Sequence, residues 1–212
     1  MKSDGYISRR IIARIRRKSV TPPVFAGDFL DLGDRPAIDQ ALSRLARRGM
    51  LCRVGRGLYA LPRVSRLTGT ATSLSPDSIA RARARKLGLR ILPSPAYAAN
   101  LLGLSTQVPA KIIYLTVGRD GIIRAGTANV IFRHGSPKTM AVSGRMAPLV
   151  FQALRYLGRP GVSEAHLGRL SRLLKKKDKR ELMGNLCNAS GWMRGVLLRI
   201  AGKTQRGKPW TE

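Results

Sequence analysis

Residues 34–62 read DRPAIDQALSRLARRGMLCRVGRGLYALP. Asp34 is a good N-cap, and Pro36 falls in the first helical turn, where its missing N–H costs nothing. Ile38, Ala41, Leu42 and Leu45 follow at i, i+3, i+4 and i+7, which predicts a helix with one apolar stripe, ended by Gly49. Arg35, Asp39, Gln40, Ser43, Arg44 and Arg47 occupy its opposite surface. The short apolar runs Leu51 to Val54 and Leu58 to Leu61 flank GRG at 55–57, which predicts a two-strand hairpin closed by Pro62 and carrying Arg53 and Arg56.

Upstream, Ile7, Ile11, Ile12 and Ile15 recur at helical spacing among five arginines, predicting an amphipathic helix from Tyr6 to Lys18 that TPP at 21–23 stops. VFAGDFLDLG reads as a second short helix from about Gly27 to Leu32, closed by Gly33. Three helices followed by a two-strand hairpin is the element order of a winged helix-turn-helix. In that arrangement the long helix lies in the major groove and the hairpin places its arginines against the backbone or minor groove.

The charge agrees with such a partner. Forty Lys and Arg against 11 Asp and Glu give the 212-residue chain a net charge of +29, far beyond what keeps a protein dispersed. Residues 1–65, 66–140 and 141–212 carry net charges of +9, +9 and +11, so no basic tail on a neutral body explains the excess. A codon bias of the source genome would also produce many arginines; the total charge carries the inference. Cys52 and Cys187 are too few and too far apart for a metal knuckle or a disulfide framework, and a reducing cytoplasm suits them. No apolar run approaches membrane-spanning length, so no membrane role is expected.

Residues 63–78, rich in Ser, Thr and Gly, read as a linker. The expected division is a winged helix-turn-helix over 1–64, a linker at 65–78, a second domain over 79–202 and a flexible tail at 203–212. In the second domain a basic helix spans Ile79 to Leu87, GLRILP enters a strand, and Ala96 to Leu102 form a small-residue helix. KIIYLTV, GIIRAG and NVIFRH then predict a small antiparallel meander. From Ala147 the helical period returns in three stretches, the middle one opening at Ser163 and presenting Leu167, Leu170, Leu173 and Leu174. The fold class is therefore α+β, the N-terminal domain being followed by a mixed α/β domain with a small sheet and C-terminal helices. KKKDKR at 175–180 reads as a solvated helix junction.

No pair of carboxylates has the spacing for acid–base or metal work. Asp28, Asp31 and Asp34 are explained as helix-end groups, and His134 and His166 have no ligand-type neighbours. Phosphate loops and nucleophile elbows are missing from the sequence, so neither an enzyme nor a cofactor or metal is expected. Duplex DNA is the expected partner. Arg35, Gln40, Ser43 and Arg44 are placed for base edges, because Arg reads guanine and Gln reads adenine. Arg47, Arg48, Arg53 and Arg56 are placed for phosphates. Asp39, four residues after Arg35, also has the spacing to pair with it.

DFLDLGDRPAIDQALSRLARRGMLCRVGRGLYALP, then PSPAYAANLLGLSTQVPAKIIYLTVG, then FQALRYLG and GWM in the helical end, together resemble the AbiEi-type antitoxins of type IV toxin–antitoxin systems. The resemblance runs over about residues 5–201. It implies a cytoplasmic phage-defence antitoxin whose N-terminal winged helix represses its own operon at inverted repeats, acting as a monomer or weak dimer. It further implies a C-terminal domain that counters a nucleotidyltransferase-like toxin. Two other readings stay open: an antitoxin that acts by direct contact with its toxin, and a stand-alone basic DNA-binding protein with no toxin partner. An RNA binder is disfavoured by the 5% aromatic content, which leaves few rings for base stacking.

Overall fold

The structure, a computed structural model, describes residues 3–17, 22–62, 74–125 and 128–203. Its secondary structure is α+β, with a small antiparallel sheet and a helical C-terminal region. The chain divides into two compact units, one formed by residues 1–89 with 121–131, the other by 90–120 with 132–212.

In the first unit, α1 spans Ser3–Arg16 and buries Ile7, Ile11, Ile12 and Ile15, the four positions its periodicity selects. It starts three residues before the expected Tyr6. The tripeptide expected to stop it begins at Thr21, outside the described residues. A single 3₁₀ turn, Ala26–Phe29, stands where a short helix over 27–32 was expected, and Phe29 is buried at its end. The Asp28 carboxylate accepts from the Phe25 N–H at 2.8 Å and so holds the entry to this turn.

Helix α2 spans Arg35–Arg47. The Asp34 side chain caps it by accepting from the Ala37 N–H at 3.1 Å, and Gly49 ends it at φ 71°, a conformation that costs glycine nothing. Ile38, Ala41, Leu42 and Leu45 all point into a core shared with α1, Phe29 and Leu51. Strands β1 (Cys52–Gly55) and β2 (Leu58–Ala60) pair antiparallel across the Gly57 turn. A third extended piece joins them: Val24 and Tyr59 exchange both backbone hydrogen bonds, at 2.8 and 3.0 Å.

Helix α3, Pro76–Leu87, begins three residues before the expected Ile79 because Ser75 caps it, accepting from Ser78 N–H at 3.3 Å. The rest of the linker reading, 63–73, falls outside the described residues. On sequence α3 opens the second domain, whereas here it belongs to the first unit. Arg85 explains this: its guanidinium bonds both Asp28 carboxylate oxygens, at 2.9 and 3.0 Å, and the Pro23 carbonyl at 2.9 Å.

Strands β3 (Ile91–Pro93), β4 (Ile112–Thr116), β5 (Gly121–Ala125) and β6 (Ala128–His134) form one sheet in the order β3-β4-β6-β5. A meander would keep consecutive strands adjacent; instead β6 separates β4 from β5. Within the first unit β5 also approaches β1, where a Cβ on Gly55 would lie 2.9 Å from the Arg124 carbonyl oxygen. Gly55→Ala therefore forces backbone apart, with an expected cost of about 1–3 kcal/mol, read as a lower thermal midpoint.

In the second unit, α4 (Pro95–Leu101) packs on α6 (Ala147–Gly161), which leaves helical geometry at Gly158. A short α5, Pro137–Met140, precedes it. The stretch expected to continue from Ser163 is two helices, α7 (Glu164–Leu173) and α8 (Lys176–Gly184), parted at Leu174 and Lys175. Asp178 causes the break by accepting from the Lys175 N–H at 3.0 Å, which starts a new helix. The break also turns Leu173 outward, while Leu167, Leu170 and Leu174 join the core with Phe151 and Leu154. Helix α9, Gly191–Ile200, completes the unit. Of the expected tail, residues 204–212 lie outside the described region.

Candidate nucleic-acid interface

The capped start of α2 and its buried stripe fix which side chains meet solvent. Arg35, Asp39, Gln40, Ser43, Arg47 and Arg48 are exposed along one side, while Arg44 is half-buried. The hairpin that follows keeps Arg53 and Arg56 exposed. All eight candidate residues thus come from α2, its C-cap and the β1–β2 hairpin, within one compact unit.

They are not equivalent. Arg35 Nε donates to Asp39 Oδ2 at 2.8 Å, so part of its donor capacity is engaged before any partner arrives. Both side chains are more than half exposed, and a solvent-facing i,i+4 pair of this kind is worth a few tenths of a kcal/mol, so it yields readily to a stronger acceptor. Half-burial limits how far Arg44 can reach. Arg47, Arg48, Arg53 and Arg56 pair with no carboxylate among the described residues. Four exposed guanidiniums with no internal carboxylate leave their charge open to solvent and to any external anion.

The acidic residues show where the positive charge is cancelled instead. Arg14 makes a two-pronged contact with Asp31, at 2.7 and 2.5 Å, and lies over the Phe29 ring. That hydrogen bonding raises the Arg14 pKa and lowers that of Asp31. A carboxylate with a lowered folded-state pKa stabilises the fold above the ordinary aspartate value of about 3.9 and loses that contribution as pH falls through its folded value. The destabilisation caused by Asp31→Asn is therefore expected at neutral pH and should shrink steadily as pH falls below the ordinary aspartate value, as read from paired thermal melts. Asp28 is used likewise by Arg85 and Phe25, and Asp34 caps α2. The helix-end roles expected for the three aspartates thus hold for Asp28 and Asp34, whereas Asp31 serves as an ion-pair partner.

The local sequence gave no sign of two contributors. Val24 adds a third extended segment to the hairpin through a single bridge, too short to show a period. Arg124, exposed on β5, adds a cation to the same unit from far along the chain. The other groups weighed on sequence are ordinary. His166 Nδ1 accepts from the Ser163 N–H, closing a capping box, and His134 is exposed with its N–H bonded to Asp120. Cys52 and Cys187 are exposed free thiols. Among the described residues no three His, Cys, Asp or Glu gather to hold a metal, and no helix is long and apolar enough to cross a membrane.

No curated protein and no solved structure matches the chain. From Arg10 in α1 to Leu182 in α8, spanning the interface and most of the second unit, the sequence matches the family model of DUF6088, a family of unknown function, and the chain belongs to that family.

Proposed function

We propose that the first unit is a winged helix-turn-helix that binds duplex DNA, with α2 in the major groove and the β1–β2 hairpin as the wing. The Val24–Tyr59 pairing is the observation that carries this reading. It ties the extended residue before the 3₁₀ turn to β2, while α2 joins the same residues through the shared apolar core, an arrangement that suits a wing carried beside a recognition helix. The cationic surface of α2 supports the same reading. A helix is 10–12 Å across with its side chains, and the B-DNA major groove is about 12 Å wide, so the exposed side chains would meet base edges and the flanking arginines would meet phosphates.

In this reading Gln40 and Ser43 read bases, Arg35 does so after releasing Asp39, Arg44 supports them from its half-buried position, and Arg47, Arg48, Arg53 and Arg56 clamp the backbone. The biological role that fits, on the resemblance to AbiEi-type antitoxins, is repression of the chain's own promoter at inverted repeats. The antitoxin activity against a nucleotidyltransferase-like protein would fall to the second unit.

Gln40→Ala separates reading from clamping. Fluorescence anisotropy with the chain's own upstream DNA is expected to show a loss of about 1–3 kcal/mol, with binding to scrambled DNA unchanged. Equal weakening on both would reduce α2 to a phosphate clamp. Co-expression with the product of the adjacent gene tests the antitoxin half: growth rescue from that product's toxicity is expected.

A further inference from the structure

The second unit contains a cavity of about 370 Å³ that the DNA reading leaves unused. Lys138 on α5 and Arg155 and Arg159 on α6 line it, with Asn188, Ser190 and Trp192 around the start of α9. Three cations around one concavity, with no acidic residue in its lining, make an anion receptor.

Arg155 makes the case sharper. It is half-buried, and its Nη1 donates only to neutral oxygens, Thr139 Oγ1 at 2.7 Å and Gln152 Oε1 at 3.2 Å. Burial lowers its pKa, and no neighbouring carboxylate offsets that loss. A guanidinium removed from water is stabilised by a counter-charge, and here the protein supplies none among the described residues. Ser190 adds a second signal. It is the N-cap of α9 but makes no capping bond, and its hydroxyl is buried without a partner. The free N–H groups of the first turn of α9 begin at the same place, and a helix start favours negative charge.

We propose that this cavity binds a phosphate monoester joined to a flat heterocycle, the chemistry of a 5′-nucleotide. The phosphate sits among Arg155, Arg159, Lys138 and the start of α9, and a rotation of the Ser190 side chain would bring its hydroxyl to it. The heterocycle lies against Trp192. The volume argues for more than a bare phosphate, since it falls in the range of pockets that hold small organic ligands, and Trp192 offers a flat apolar wall suited to a ring. The same chemistry occurs in a free nucleotide and at the 5′-phosphorylated end of a nucleic-acid strand.

Trp192 and Trp210 are the only two tryptophans in the chain, so Trp210→Phe leaves Trp192 as the reporter. In that background, titration with adenosine 5′-monophosphate is expected to quench the fluorescence saturably, and adenosine, lacking the phosphate, is not. A trinucleotide with and without a 5′-phosphate forms the second arm: a response confined to the phosphorylated strand assigns the site to strand ends, and a response confined to the monophosphate assigns it to free nucleotide. Arg159→Glu, at an exposed position, is expected to weaken binding about tenfold or more while leaving the thermal midpoint within the range of ordinary surface changes. Arg180→Glu, an equal charge change at an exposed position on α8, is expected to leave it unchanged. The proposal is overturned if neither phosphorylated probe saturates, if adenosine matches its monophosphate, or if Arg180→Glu weakens binding as much as Arg159→Glu.

Discussion

Replacing Arg47, Arg53 and Arg56 together by alanine is expected to lower affinity for duplex DNA of any sequence by between two and three decades at about 0.1 M salt. Each phosphate contact contributes about 0.9 to the slope of log affinity against log salt, so three lost contacts should flatten that slope by about 2.7. These residues are suited to the test because none pairs with a carboxylate among the described residues and all are exposed. Their removal subtracts cations without opening the core, and the thermal midpoint should stay within the range of ordinary surface changes. The expected signature combines a flatter salt dependence with an unchanged preference between the chain's own promoter and scrambled DNA. A slope unchanged within error would place the DNA elsewhere on this +29 chain and remove the hairpin from the interface.

Most of the first unit's frame is written locally. Asp34, Pro36 and Gly49 punctuate α2, the stripe Ile38, Ala41, Leu42 and Leu45 sets its inner face, and the glycines at 55 and 57 set the hairpin. Each of these signals lies within a few residues of what it determines, so pattern alone recovers them. What escaped depends on distant partners. The extended pairing of Val24 depends on Tyr59, and the place of α3 depends on an ion pair between Arg85 and Asp28, 57 residues away. The position of β6 between β4 and β5 is a matter of topology, which strand-like runs do not encode. The junction between α7 and α8, by contrast, was legible in KKKDKR at 175–180, and its cause, the Asp178 carboxylate three residues after Lys175, is equally local. For the interface, the exposure of Arg35, Gln40, Ser43 and Arg47 followed from the helical period, and that of Arg53 and Arg56 from their place in the hairpin. The half-burial of Arg44 did not, because it reflects neighbours outside α2.

Phe29 is where the fold and the interface meet most directly. Its ring is 1% exposed at the end of the 3₁₀ turn, packed in the core that carries α1, α2 and Tyr59, and covered on one side by the Arg14 guanidinium. Arg14 in turn is fixed by Asp31, so the aromatic ring anchors a chain of contacts from the core to the surface. Phe29→Ala removes a large buried side chain and is expected to cost about 3–5 kcal/mol, a large share of the 5–15 kcal/mol that holds a typical domain together. For a unit of this size that corresponds to a fall of at least about 12 °C in its melting midpoint by circular dichroism. Leu30→Ala, one residue later but 51% exposed, is the internal control and should shift the midpoint little. Because Phe29 touches α2 only through the core, the variant should lose sequence preference and affinity together as the unit unfolds, and recover both on cooling below its new midpoint. A Phe29→Ala protein that melts like Leu30→Ala would show that the 3₁₀ turn does not hold α2 in place, and the scaffold argued for the interface would fail with it.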